Sequence, residues 1–105
     1  MRSEVLKGHL DLLLLATLAQ APAHGYRIVE LLRERSGGAF DLAEGTVYPA
    51  LYRLEALGLL SSRWATASGR RRRVYSLTRR GHRALAEQGT QWRSFATAVE
   101  RVVAG

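Results

Sequence analysis

Glu44 to Leu60 read EGTVYPALYRLEALGLL. In this stretch Val47, Ala50, Leu51, Leu54 and Leu57 recur at steps of three and four, the period of a helix with one apolar face, and Gly58 supplies a C-terminal stop. The other side carries Thr46, Tyr48, Pro49, Tyr52, Arg53 and Ala56 behind Gly45. Small and planar groups there leave room for close approach by a partner. On an isolated helix the tyrosines would read as caps on the edge of a core and Arg53 as a solvated charge. The neighbouring segments decide between the two readings.

Downstream, SSRWATASGRRRRVYSLT forms two short alternating runs around a turn at Ser68 and Gly69, with Tyr75 and Leu77 on one face of the second run. That pattern predicts a β-hairpin. Upstream, His9 to Gln20 is apolar on nearly all sides, as a central helix touched by neighbours all round must be, and Ala21 to Ala23 with Pro22 ends it. GYRIVELLRERSGG then places Ile28, Leu31, Leu32 and Arg35 at helical spacing and stops at Gly37 and Gly38. Three helices followed by a charged hairpin describe a winged helix-turn-helix, in which the third helix enters the DNA major groove and the hairpin grips beside it. The expected fold class is mainly α with a small β-hairpin, completed by one long C-terminal helix.

The charge is localised. Residues 1–69 hold seven basic and seven acidic side chains, and residues 84–105 balance Arg93 and Arg101 against Glu87 and Glu100, so the net charge of +7 comes from seven arginines between Arg70 and Arg83. Arg70, Arg71, Arg72 and Arg73 are consecutive, and strand residues alternate faces, so the run is expected on the hairpin tip and flank, a tip being wet on both sides. Solvated faces interleave acids with bases, whereas seven like charges repel unless something acidic lies opposite. Planar guanidinium groups suit phosphate oxygens, although biased genomic base content explains an arginine-rich composition equally well.

From Gly81 onward Leu85, Gln88, Trp92, Phe95, Val99 and Val102 alternate by three and four, behind a capping Thr78. The stripe predicts a dimer seam, the alternative being a helix folded back on its own domain. At 105 residues the chain is small for a self-sufficient core, which favours a partner subunit. Residues 1–78 are accordingly expected to form the winged domain and 79–105 a dimerisation helix. Small or polar neighbours around Trp92, namely Gln88 and Gly89, leave space for a flat apolar compound; the opposing reading is a structural anchor.

Taken together, HGYRIVELL, EGTVYPALYRLEALGLL and RRVYSLTRRG, in that order and spacing, resemble the PadR family of transcriptional regulators, in its short subtype with one C-terminal helix. The resemblance spans about Leu6 to Val103. It implies that the third helix reads operator DNA through Thr46, Tyr48, Pro49, Tyr52 and Arg53, and that the wing contacts the backbone through Arg70 to Arg73. It also implies an aromatic effector held at Trp92 and Gln88 near the dimer axis, since short members include regulators that hold aromatic drugs between paired tryptophans.

Other classes fit poorly. With no cysteine, thiolate catalysis and thiolate metal sites are excluded. His9, His24 and His82 are separated and no phosphate-binding glycine loop is present, so no enzymatic activity, metal or cofactor is expected. Glu30 and Glu34 lie among Arg27, Arg33 and Arg35, a solvated ion-pair face. LLLLATLAQAPA, Leu12 to Ala23, imitates a secretion signal, but Arg2 and Lys7 mix with Glu4 and Asp11 before it, and its loss would remove a core helix. No run is long enough to span a bilayer, so a cytoplasmic protein without membrane contact is expected. The partners implied are double-stranded DNA, a second copy of the chain and a small aromatic effector; a winged helix that binds RNA or protein through the same hairpin is the alternative.

Overall fold

A computed structural model describes Leu6 and residues 8–105; Arg2, Glu4 and Lys7, which flank the apolar segment, lie outside the described residues. Helix α1 (Leu10–Gln20) runs through the centre, burying Leu14, Leu15 and Leu18. Its one buried polar side chain, Thr17, donates its hydroxyl to the Leu13 carbonyl at 2.8 Å, so that hydroxyl is satisfied within the helix. Strand β1 (Ala23–His24) follows, then α2 (Gly25–Arg35). Helix α2 ends where Gly37 and Gly38 take left-handed φ values of 63° and 89°. The expected ion-pair face is present: Arg27 reaches Glu34 at 3.3 Å and Glu30 at 3.8 Å.

Helix α3 (Glu44–Ala56) starts at Ala43, whose side chain cannot cap it. Pro49 sits in the early part of the helix and has no N–H to offer the Gly45 carbonyl. Val47, Ala50, Leu51 and Leu54 are buried as their spacing predicts. Leu57 is not: it is the C-cap, 51% exposed, because the helical turn that would have carried it inward has already stopped. Gly58 N–H donates to the Glu55 carbonyl and Leu59 N–H to the Leu54 carbonyl, with Gly58 at φ 79°, the Schellman closure that turns the chain into the wing.

Strands β2 (Leu60–Ala67) and β3 (Arg70–Leu77) pair antiparallel from Leu60↔Leu77 to Ala67↔Arg70, and both residues of the loop, Ser68 and Gly69, have positive φ, as a two-residue hairpin with the sheet's right-handed twist requires. The sheet has three strands in the order β1-β3-β2, with His24 opposite Val74 and Ala23 opposite Tyr75. Tyr75 is the large buried ring of the sheet, and burial pushes its hydroxyl up to about 12.

Helix α4 (Arg79–Ala104) is capped by Thr78, whose hydroxyl accepts from Gly81 N–H at 3.0 Å while donating to the Gly58 carbonyl at 2.7 Å. One side chain thus joins the end of α3, the base of the wing and the start of α4. Ala84 and Leu85 pack against the domain's own core. No described helix is long and apolar enough to cross a membrane.

Candidate nucleic-acid interface

Tyr48, Tyr52 and Glu55 of α3 face the wing across a cleft of about 510 Å³, lined as well by His24, Trp64, Tyr75 and three of the arginines. Thr46 and Pro49 are exposed on α3 but do not line the cleft; Tyr52 is exposed and Tyr48 half-buried, their rings 6.1 Å apart. Gly25 makes this possible. A Cβ there would lie 2.5 Å from the Tyr48 ring, so the start of α2 must be glycine for Tyr48 to lie down beside it. Burial, then the carboxylate of Glu44, raises the Tyr48 hydroxyl pKa and keeps it a neutral donor.

Arg53 points away from the cleft. Both of its terminal nitrogens bond the Asp11 carboxylate, one at 3.0 Å, and that hydrogen bond raises its pKa above the ordinary guanidinium value. The pair ties α3 to the first turn of α1 across 42 residues of sequence.

On the wing, the arginine run lies on the flank beside the tip, one of the two places expected for it. Ser68 and Gly69 form the turn, and Arg70 to Arg73 are the first four residues of β3, because the two-residue loop closes before the run begins. The four side chains are not equivalent. Arg73 donates from Nε to the Ser62 hydroxyl at 2.7 Å, Ser62 donates to Glu55, and Arg73 also approaches Glu55 at 3.9 Å, so this guanidinium is neutralised against the last turn of α3. Arg71 and Arg73 both lie 5.4 Å from the Trp64 ring centroid. Trp64 is 55% exposed between them, a residue to which sequence reading assigns no role, although its register opposite Arg73 follows from the turn. Arg70 and Arg71 stay exposed, while Arg72 turns inward and its Nε is buried with no hydrogen-bond partner.

His24, read from sequence only as one of three isolated histidines, does two jobs. Its Nδ1 accepts the Arg27 N–H at 3.2 Å and caps α2, and its ring lines the cleft. Burial, then the charge of Arg72, lowers its pKa.

Along α4, Trp92, Phe95, Val99 and Val102 are 43%, 58%, 39% and 82% exposed, and the Trp92 and Phe95 rings lie 6.4 Å apart. Trp92 meets His9 edge-on at 5.1 Å over a groove of about 450 Å³ between α1 and α4, lined by Asp11, Leu12, Gln88 and Phe95 as well. Among the described residues no cluster of His, Asp or Glu could hold a metal ion.

The family model for transcriptional regulators of the PadR-like family matches residues 14–87, from within α1 through the wing into α4. The chain belongs to that family. The PadR-like fold is shared by a PadR-family transcriptional regulator from Eggerthella lenta at a TM-score of 0.83 and 33% identity, over 95% of this chain and 86% of that one. A transcriptional regulator from Clostridium thermocellum superposes at 0.87 over 96% of both chains, with 25% identity. A transcriptional regulator of Mycobacterium tuberculosis is 47% identical over 57 residues, 54% of this chain and 53% of its own length. As a PadR-like protein the chain is a DNA-binding transcriptional regulator with a winged-helix fold.

Proposed function

We propose that this PadR-like chain acts in the cytoplasm as a homodimeric repressor on a palindromic operator and that an aromatic effector adjusts its grip. The observation that carries the reading is the shared orientation of two unlike surfaces: the polar, aromatic face of α3 and the arginine-bearing strand β3 flank one cleft. With α3 in the major groove, Thr46, Tyr48, Pro49 and Tyr52 meet base edges and sugars, and Arg70 and Arg71 meet phosphates. Arg53, held by Asp11, braces the helix on α1 unless DNA draws it off. Arg73 sets the wing angle through Glu55.

The exposed stripe Trp92, Phe95, Val99 and Val102 supports pairing through α4, because apolar side chains of that size along one helix face lower their free energy by packing on a second copy. Leu85 and Gln88 stand at the inner end of that stripe, where the seam would meet the domain core. Two-fold pairing presents two copies of α3 and calls for half-sites about 10 bp apart, or a multiple of that. The groove beside Trp92, with Gln88 and His9 on its walls, would take a flat aromatic molecule. Such a ligand regulates only by binding one spacing of the two reading helices better than another. The test is nuclease protection of the DNA upstream of the protein's own gene: a protected palindrome supports the reading, and preference for single-stranded or looped RNA overturns it.

A further inference from the structure

The outward residues of α3 form two strips. Tyr48, Tyr52 and Glu55 line the cleft, while Thr46, Pro49, Arg53 and Ala56, at steps of three and four, are exposed beside it. Arg53 is the one charged side chain of the second strip, and it is already occupied. Its two terminal nitrogens donate to the two oxygens of the Asp11 carboxylate, one each. A guanidinium makes the same two-point contact with a phosphate or with the O6 and N7 edge of a guanine. In the free chain Asp11 therefore fills the place that a DNA acceptor would take.

The pair is held loosely. Its side chains are 53% and 34% exposed, and ion pairs at such a surface shift an equilibrium by no more than about five-fold, because water and salt screen them. Asp11 keeps a favourable place without Arg53, since it lies in the first turn of α1, where the helix dipole favours a negative charge. It also has a second neighbour: Asp11 lines the groove between α1 and α4 beside Trp92 and Gln88, whereas Arg53 is not among the residues of that groove. Of the described residues lining it, Asp11 is the one acid and none is Lys or Arg. A ligand in the groove thus meets one fixed charge, and that charge is negative.

We infer that Asp11 is an intramolecular competitor for Arg53 that links the groove to the reading helix, so that a cationic aromatic ligand in the groove tightens the grip on DNA. The inference rests on α3 as the DNA-reading helix and on the groove as the effector site, and it adds the charge of the ligand and the sign of its effect. Paired, Arg53 is withheld from DNA and Asp11 from the groove. Unpaired, both are free. DNA that takes Arg53 and a cation that takes Asp11 favour the same unpaired state, so each raises the affinity of the other. The gain is at most what the pair itself is worth, about five-fold per protomer. Untying α3 from α1 also frees the reading helices to take another spacing. A neutral aromatic has no hold on the carboxylate and leaves the pair intact.

The experiment uses the full chain, the palindromic duplex that nuclease protection defines, benzamidine as the aromatic cation and benzamide as its neutral counterpart of nearly the same shape, at matched ionic strength. Nuclear magnetic resonance follows the Trp92 indole N–H and the Arg53 side chain, and fluorescence anisotropy follows the duplex. Benzamidine is expected to shift both resonances and to tighten duplex binding by up to about five-fold per protomer, and benzamide to shift Trp92 alone and leave binding unchanged. Asp11→Asn should bind the duplex as tightly as the benzamidine-saturated wild type and gain nothing further from benzamidine. Beside Arg53→Gln, both the gain from Asp11→Asn and the response to benzamidine should vanish. A gain from Asp11→Asn that persists there is general relief of charge repulsion and overturns the competition. If the wild type binds the duplex and Asp11→Asn or benzamidine weakens that binding or leaves it unchanged, the inference is wrong and the DNA reading stands. A Trp92 resonance silent to both compounds overturns the link to the groove. A wild type that binds no duplex removes the DNA reading itself, and the inference with it.

Discussion

Gly81 and Gly89 lie on one helix and make opposite demands. A Cβ at Gly81 would sit 2.1 Å from the Leu59 carbonyl oxygen, a backbone atom pinned by the Thr78 N–H, so α4 can cross the base of the wing only on glycine. At Gly89 the nearest atom is the end of the Arg93 side chain at 3.3 Å, which can swing away. Gly81→Ala is therefore expected to cost about 1–3 kcal/mol or more by overpacking, and Gly89→Ala to gain up to about 1 kcal/mol of helix propensity. Denaturant unfolding of the two variants checks the pair. His24 carries the pH dependence at this scale. Its pKa is lowered in the folded protein, so the neutral ring favours folding; its contribution is present above the unfolded value of 6.5 and is lost as pH falls through the lowered folded value. Protonated Nδ1 can no longer accept from Arg27, and a cap of this kind is worth about 0.5–2 kcal/mol. Thermal melting between pH 7.5 and 5 should fall more in the wild type than in His24→Asn, which caps without titrating. None of this was legible in the sequence, because an isolated histidine and a glycine disclose neither a neighbour's carbonyl nor a cap until the chain has turned.

Helix α3 and the wing were readable as elements because each carries its own period, three to four for one and two for the other, with Gly58 and Ser68–Gly69 as punctuation. Strand β1 was not, since two residues cannot display an alternation. The roles within the arginine run were hidden for a related reason: identical residues acquire different surroundings only from the register, which puts Arg73 beside Trp64 and Ser62 while the Arg72 Nε is buried. Arg53 gave no hint of Asp11, 42 positions away. Two expectations follow for these elements. Arg70→Gln with Arg71→Gln should weaken binding to all duplexes alike and flatten the salt dependence by about one unit per lost phosphate contact. Tyr52→Ala should leave random DNA nearly unaffected and shrink the preference for the operator, by roughly 1–3 kcal/mol where a base contact is lost. Fluorescence anisotropy on operator and scrambled duplexes at several salt concentrations separates the two outcomes.

At the scale of the molecule, a body measuring 54 × 28 × 20 Å combines a packed winged domain with a helix whose later turns carry exposed Trp92, Phe95, Val99 and Val102. The domain places two reading surfaces on one cleft, and the helix face would set the distance between two such clefts. Charges introduced as Phe95→Glu and Val99→Glu should abolish pairing and operator binding together, since a seam tolerates no unpaired buried charge, while the winged domain, whose core lies elsewhere, keeps its melting transition. Sedimentation equilibrium at micromolar concentration, with a duplex carrying the protected palindrome, tests the central claim most directly. The account predicts a complex of two chains on one duplex and a dimer in its absence; a monomer free in solution, or a single chain on the palindrome, would contradict it.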